Sequence, residues 1–371
     1  MPEHNRAMTI IHISTALSWR GGEQQIAYLL VELSKLNIEQ IVVCPENSPL
    51  FLFCEKNSIQ VKSFHKRSGF DPWLALKITQ LCRRAKNPII HAHDSHAHSA
   101  GFLSAFLWMN KTPIVVHRRV GFNPNKSLLS AIKYNHHSIT KIICISEYVR
   151  EIMNSGLADP KKTVTVYDGI DLHKFAGQSD TNILRKRFNL TIKHTLIGNI
   201  SAITVEKDYV TFVDTASILL SIHPDLRFFI IGDGAQRQYI SDYIKEKGLE
   251  SKILMTGFLD NIQEILPELE LILFTSVNEG LGTTLLDAFA CRIPVVATNA
   301  GGIPEIVKNH ITGLTTEIRN PAEMAAAVEE ILINTELKNT IVDNAFRKVQ
   351  DFSTENMALK IIEIYNEIFR N

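Results

Sequence analysis

Short apolar runs separated by segments of helical spacing recur along the whole chain. Runs at 9–13, 41–43, 89–90, 114–116, 142–145 and 164–166 read as strands. Helical segments between them predict parallel sheets covered on both faces. The pattern restarts at 196–200 and continues at 228–231, 253–255, 271–274 and 295–297. Two such series predict an α/β protein with two Rossmann-like domains, expected at 1–168 and 169–352. The stretch DGIDLHKFAGQSD at 168–180 has the glycines and polar residues of a linker. A last segment, 353–371, opens near a capping box with Ser353 and Asn356, and its helical spacing predicts an amphipathic helix.

A length of 371 residues suits two domains of about 150 to 200 residues. A hydrophobic content of 45% and a charged content of 21% fit an ordinary protein with a large core. No run approaches the roughly 18 apolar residues of a membrane span, and MPEHNRAMTIIHIS lacks the parts of a signal peptide. A cytoplasmic location is therefore expected. Cys44, Cys54, Cys82, Cys144 and Cys291 form no close pair, which argues for reduced thiols rather than disulfides or a zinc cluster.

Net charge is zero but unevenly distributed. Up to Ile170 there are 20 Lys and Arg against 12 Asp and Glu, and beyond it 19 against 27, so the halves carry +8 and −8. A basic first half fits an anionic partner such as a phospholipid surface or a phosphorylated acceptor; scattered solvated charge gives the same count.

The chemistry concentrates in 275–305, TSVNEGLGTTLLDAFACRIPVVATNAGGIPE. Gly280 and Gly282 allow close approach of the backbone to a ligand, and a helix from about Thr283 turns unpaired amides toward it, which makes a phosphate seat. Leu281 lies within the same turn. Glu279 stands at the mouth of the turn and Asp287 about one turn into the helix. Carboxylates repel a phosphate, so these are expected to hold hydroxyls, an arrangement suited to a nucleotide sugar. Gly301 and Gly302 repeat the device after a second strand. Capping of strand-to-helix turns is the alternative for each pair.

Gly21 and Gly22 precede a helix expected from Gln24, whose amides can face an anion. The string His91-Ala92-His93-Asp94-Ser95-His96-Ala97-His98 approaches an H-x-H-x-D-H zinc pattern, but Ser95 replaces a needed carboxylate, and no metal is expected. His117, Arg118 and Arg119 close a strand. The arginine forks suit an acceptor phosphate or carboxylate, and His117 reads equally as a strand-capping residue. Ser146 reads as an N-cap.

EGLGTTLLDAFACRIPVVATNAGGIPEIV resembles the donor-binding signature of glycosyltransferase family 4, retaining enzymes of GT-B fold with two Rossmann-like domains facing an interdomain cleft. The second acid of the signature is shortened here to Asp287. GNISAITVEK at 198–207 is similar to the family's diphosphate clamp, with Lys207 matching and Ala202 where an arginine is usual. The resemblance implies Glu279, His117 and Lys207 as catalytic residues. It implies donor contacts from Gly21, Gly22, Gly232, Gly280, Leu281, Gly282, Thr283 and Asp287, and acceptor contacts from His93, Arg118 and Arg119. The 353–371 helix would cross back to the first domain.

The function so implied is retaining transfer of a sugar from a nucleotide sugar to a hydroxyl of a glycan or glycolipid, in cell-envelope polysaccharide or lipopolysaccharide synthesis. No cofactor or metal is expected, nor nucleic acid. Peripheral contact with the inner face of an anionic membrane is expected. The rival readings are a GT-B nucleotide-sugar 2-epimerase and a non-catalytic nucleotide-sugar binder.

Overall fold

The computed structural model describes residues 8–66, 70–175 and 181–370. Residues 176–180 of the expected linker, and the first seven residues, lie outside them. The chain divides into two compact units. One comprises Met1–Gly169 with Thr354–Asn371, the other Ile170–Ser353.

Unit 1 holds a seven-stranded sheet in the order β3-β2-β1-β4-β5-β6-β7. Its strands are β1 (Thr9–Ile13), β2 (Glu39–Pro45), β3 (Val61–Phe64), β4 (Pro88–Ala92), β5 (Ile114–Arg118), β6 (Ile139–Cys144) and β7 (Thr163–Thr165). Every pairing is parallel. The central strands β1 and β4 are buried almost throughout, which is why they read as continuous apolar runs. The helix Thr354–Ile368 belongs to this unit, where Met357, Ile361 and Tyr365 pack with Ile10, Leu29 and Val115.

Unit 2 holds six strands in the order β10-β9-β8-β11-β12-β13. They are β8 (Thr195–Ile200), β9 (Leu226–Ile231), β10 (Ile253–Gly257), β11 (Leu271–Phe274), β12 (Val295–Thr298) and β13 (Leu314–Thr316). These pairings are parallel too. One face is sealed by Phe212 and Val213 with Met324 and Val328, packed on Phe228, Leu273 and Val296.

In both sheets the chain order reverses once between neighbouring strands, at β1/β4 in unit 1 and at β8/β11 in unit 2. At such a point the loops leaving the two strands diverge and open a crevice beyond their carboxyl ends, where open α/β sheets bind ligands.

Of the four edge strands, β3 and β13 were not among the expected runs, whereas β7 and β10 were. β3 reads VKSF, with its side chains partly exposed, and β13 reads LTT, so neither presents the apolar run of a strand buried on both faces. The helix expected from Gln24 begins at Gly21, with Arg20 extended at the cap and the Glu23 carboxylate accepting the Arg20 amide at 3.0 Å. Both glycines are therefore helical. Ser146 is an N-cap whose hydroxyl accepts the Val149 amide at 3.1 Å.

Candidate active site

At the switch point of unit 2, the loop leaving β8 carries Lys207 and the loop leaving β11 carries Glu279. The two side chains form an ion pair, and each is largely shielded from solvent. The Ser276 hydroxyl donates to the Glu279 carboxylate at 3.4 Å. Backbone contacts fix the two loops together: Thr275 Oγ1 donates to the Lys207 carbonyl at 2.8 Å and the Val277 amide to the Glu206 carbonyl at 2.8 Å. Lys207 Nζ also lies 5.3 Å from the centre of the Phe274 ring.

Beyond Glu279 the chain turns through Gly280 and Leu281 to Gly282, which has φ +88 and caps the helix Thr283–Ala290. Glycine offers no capping side chain, so no side-chain oxygen covers the first-turn amides. Leu281 is buried, so its side chain packs within the turn rather than facing a ligand. Asp287, on the second turn, is half-buried. Burial pushes its carboxyl up to about 7, against the opposing pull of Lys174.

The second glycine pair proves to be a support for the first turn. A Cβ on Gly301, at φ +57, would stand 2.1 Å from the Glu279 carbonyl oxygen, and one on Gly302 would stand 2.2 Å from that of Gly280. The helix that follows spans only Ile303–Ile306. Gly232 has a similar structural cause. At φ +146, a Cβ there would meet the Ser201 carbonyl oxygen at 2.1 Å, so close packing of β9's end on the β8 loop accounts for this glycine. Ala202, at the position where an arginine is usual, is exposed on that same loop.

Unit 1 gathers four buried histidines beyond its switch point. His12 on β1 is in register with His91 on β4; His93 follows β4 and His117 lies on β5. His12 Nδ1 and His93 Nε2 share a hydrogen bond of 2.9 Å, and His91 Nδ1 shares one of 2.6 Å with the Tyr365 hydroxyl. Burial drives all four rings well below the usual histidine range, His12 to about 3, so they are neutral.

Neither ring nitrogen of His117 has a hydrogen-bond partner. Asp168 Oδ1 stands 3.9 Å from His117 Nε2 and 3.7 Å from Arg119 Nε. Burial pushes the Asp168 carboxyl up to about 6 and Arg119 pulls it back down. Arg119 Nη1 donates to the His93 carbonyl at 3.4 Å. Gly22 faces Arg119, since a Cβ there would lie 3.7 Å from Arg119 Cδ, whereas a Cβ on Gly21 would meet nothing within 4 Å. Gly22, His93, His117, Arg119 and Asp168 thus form one constellation. Arg118 turns away from it, lying 5.6 Å from the centre of the Phe122 ring and 5.9 Å from that of Tyr134.

The histidine-rich string is dispersed by the fold. Asp94 caps the helix Ser95–Trp108, accepting the amides of His96 and Ala97, and also binds the Thr15 amide and hydroxyl. His96 is exposed, and His98 is buried against Tyr134, ring centres 4.5 Å apart. His12, which carried no motif, takes the place near His91 and His93 instead. Ligating atoms of these three lie within 4.8 Å of one another. A cation there would sit beside the Arg119 guanidinium and would have to break the His12–His93 hydrogen bond, so the residues fit a neutral hydrogen-bonded cluster better than a metal centre.

Solved structures share this architecture. Anabaena HepE in complex with UDP superposes with a TM-score of 0.84 at 20% identity, over 97% of this chain and all of that one. A glycosyltransferase from Rickettsia africae gives 0.85 at 22% identity, over 99% and 100%. Among curated relatives, the N-acetyl-alpha-D-glucosaminyl L-malate synthase of Bacillus anthracis is 25% identical over 81% of this chain and 80% of its own. The UDP-Gal:alpha-D-GlcNAc-diphosphoundecaprenol alpha-1,3-galactosyltransferase of Escherichia coli is 24% identical over 95% of both. The fold is therefore GT-B and the protein is a glycosyltransferase. Two family models, described as Glycosyltransferase Family 4 and Glycosyl transferases group 1, match residues 19–174 and 180–348, and the chain belongs to glycosyltransferase family 4.

Proposed function

We propose that unit 2 binds a nucleotide diphosphate sugar and unit 1 the acceptor hydroxyl, and that transfer retains the anomeric configuration. The observation that carries this reading is the Lys207–Glu279 pair beside the glycine-capped end of the helix Thr283–Ala290. A cation and helix-start amides that carry no side-chain cap suit the diphosphate, and an acid beside them suits sugar hydroxyls. Asp287 takes the ribose. In the reaction the acceptor oxygen bonds to the anomeric carbon as the carbon–oxygen bond to the diphosphate breaks, and the acceptor's proton passes to the departing phosphate. Lys207 and the amides around Gly282 and Thr283 stabilise the charge that develops there.

His117, with both ring nitrogens unpartnered and its ring neutral, is placed on the sugar, where a neutral donor or acceptor of hydrogen bonds is of use. In unit 1, Gly21 and Gly22 leave the backbone at the start of their helix open to a phosphate. His93 and Arg119 line the acceptor's path, whereas Arg118 is turned toward Phe122 and Tyr134. The acceptor is a glycan or glycolipid of the cell envelope, reached from the cytoplasmic face through contact of the basic unit 1 with an anionic membrane. Relatives that use diphosphoundecaprenol-linked acceptors by name support this.

The test is calorimetric titration with UDP and the other nucleoside diphosphates, followed by NMR of the product formed with a lipid-linked acceptor. Tight binding of one diphosphate and an axial or equatorial linkage matching the donor are expected. Isomerisation of the free nucleotide sugar without any acceptor would replace transfer by 2-epimerisation, and binding without turnover would leave a non-catalytic binder.

A further inference from the structure

The helix Leu128–Asn135 turns its apolar side outward. Positions 128, 129 and 132 share one face at 3.6 residues per turn. They carry Leu128, Leu129 and Ile132, exposed by 77%, 68% and 49%. The buried side chain of this helix is Tyr134. Single exposed leucines are ordinary on a protein surface, but a helical stripe of them marks a contact surface. Exposed apolar residues continue nearby in sequence, with Val120 before the helix and Phe106 and Met109 at the end of the helix Ser95–Trp108. The two helices lie together: Lys133 Nζ donates to Ser99 Oγ at 3.1 Å, and Phe102 meets the His136 ring edge-on at 5.2 Å.

Basic residues predominate in the sequence around this stripe, with Asp159 an exposed acid near the end of the helix, where the Ala158 amide donates to Asn135 Oδ1 at 2.7 Å. Residues 95–146 contain six Lys and Arg and no Asp or Glu. The acids that bound the stretch are engaged, Asp94 with the amides of His96 and Ala97 and Glu147 with Arg150. At the start of the helix, Lys126 is exposed with its Nζ 5.9 Å from the Phe122 ring centre, and Arg118 holds the same ring at 5.6 Å. Lys162 approaches the other end, donating to the His136 carbonyl at 3.4 Å.

We propose that the helix Leu128–Asn135 docks unit 1 onto an anionic phospholipid surface. Leu128, Leu129 and Ile132 enter the boundary between headgroups and acyl chains, and Lys126 with Arg118 meets lipid phosphate. An apolar stripe edged by cations is the pattern of a helix lying in a membrane interface. A second copy of the chain fits less well, because a self-complementary contact would bring two basic stripes together. The proposal rests on the reading of unit 1 as the acceptor side and gives it a place: β5, which carries His117 and Arg118, leads through the turn Pro124–Lys126 into this helix, so docking sets the carboxyl end of β5 near the surface that holds a lipid-borne acceptor.

Cosedimentation with vesicles of phosphatidylglycerol and of phosphatidylcholine tests it, with UDP calorimetry on the same preparations. The protein should bind phosphatidylglycerol about tenfold or more tightly than phosphatidylcholine, and lose that binding in high salt. The double variant Leu128→Ser, Leu129→Ser should bind at least about tenfold more weakly, and Lys126→Glu should weaken binding too, both with UDP affinity unchanged. In a Leu129→Trp variant, emission should shift to the blue on adding phosphatidylglycerol vesicles. Absence of vesicle binding at low salt, or equal binding by the double variant, overturns the proposal. So does a dimer, seen by sedimentation velocity without lipid, that the double variant abolishes. Failure of UDP to bind while vesicles still do would instead remove the donor reading and leave the docking surface standing.

Discussion

Gly301 lies so close to Glu279 that a Cβ on it would stand 2.1 Å from the Glu279 carbonyl oxygen. The neighbouring Gly302 amide donates to that oxygen at 3.0 Å. A loop that carries no proposed ligand contact thereby sets the backbone of one that does. Gly301→Ala combines a left-handed φ with a backbone collision and should cost roughly 2–4 kcal/mol of stability. Urea denaturation measures this, and a wild-type midpoint would show that the Glu279 turn can move aside.

Gly21→Ala is the contrasting substitution. The position opens a helix and has open space around it, so folding should be unaffected within about 1 kcal/mol. Turnover should fall all the same, because the added methyl stands where the diphosphate is proposed to approach. Steady-state kinetics beside a thermal melt separate the two effects; unchanged kcat/KM would remove Gly21 from the site.

Glu279→Gln keeps size and hydrogen bonding but removes the partner of Lys207 and one acceptor for sugar hydroxyls. Turnover should drop by about 100-fold while circular dichroism stays that of the wild type. Lys207→Met should cut turnover comparably and weaken UDP binding as well, since it removes the cation itself. If Lys207→Met bound UDP as tightly as the wild type, the diphosphate would have to be met elsewhere.

Two carboxyls give the stability a definite pH dependence. Burial raises Asp168 and Asp287 to about 6 and about 7 from the ordinary carboxylate range, so between about pH 4 and pH 7 the folded protein binds more protons than the unfolded one at these sites. Their contribution is present at the acid side of that window and is lost as pH rises through it. The neutral rings of His12, His91, His93 and His117 act in the opposite sense over the same window, so the carboxyl contribution is read as the difference between wild type and Asp287→Asn, which should change between about pH 4 and pH 7. A variant with the wild-type pH profile would mean that Asp287 is ionised throughout.

Transfer should persist in EDTA, since Lys207 and the helix amides supply the positive charge. Loss of activity restored by zinc, together with a stoichiometric metal content, would place an ion on His12, His91 and His93.

The interior strands were legible because a strand buried on both faces leaves a continuous apolar run, as in ILF at 272–274. The edge strands β3 and β13 were not, because each is short and carries polar residues in place of an apolar run, as in Leu314-Thr315-Thr316. The glycine-rich turn after β11 announced itself by composition. Its ion pair did not, since Lys207 and Glu279 lie 72 residues apart and become neighbours only through the order β8-β11. His12 was silent for the same reason. One histidine in TIIHI carries no pattern, and only the parallel register of β1 with β4 sets it beside His91. The pair Gly301-Gly302 looked like a second anion seat because a glycine required by a neighbouring carbonyl and one required by a ligand look alike in sequence.

Tyr365, whose hydroxyl holds His91, stands near the end of the chain in a helix that completes the core of the unit containing the chain's first strand. During synthesis the first unit should therefore keep part of its apolar interior uncovered until unit 2 has been made in full. Unit 2 is contiguous and can close on its own as it emerges. A chain cut short before Thr354 would keep a folded carboxyl-terminal half and lose its opening one, so nascent-chain proteolysis should find protection arriving in the reverse of the order in which the residues are translated.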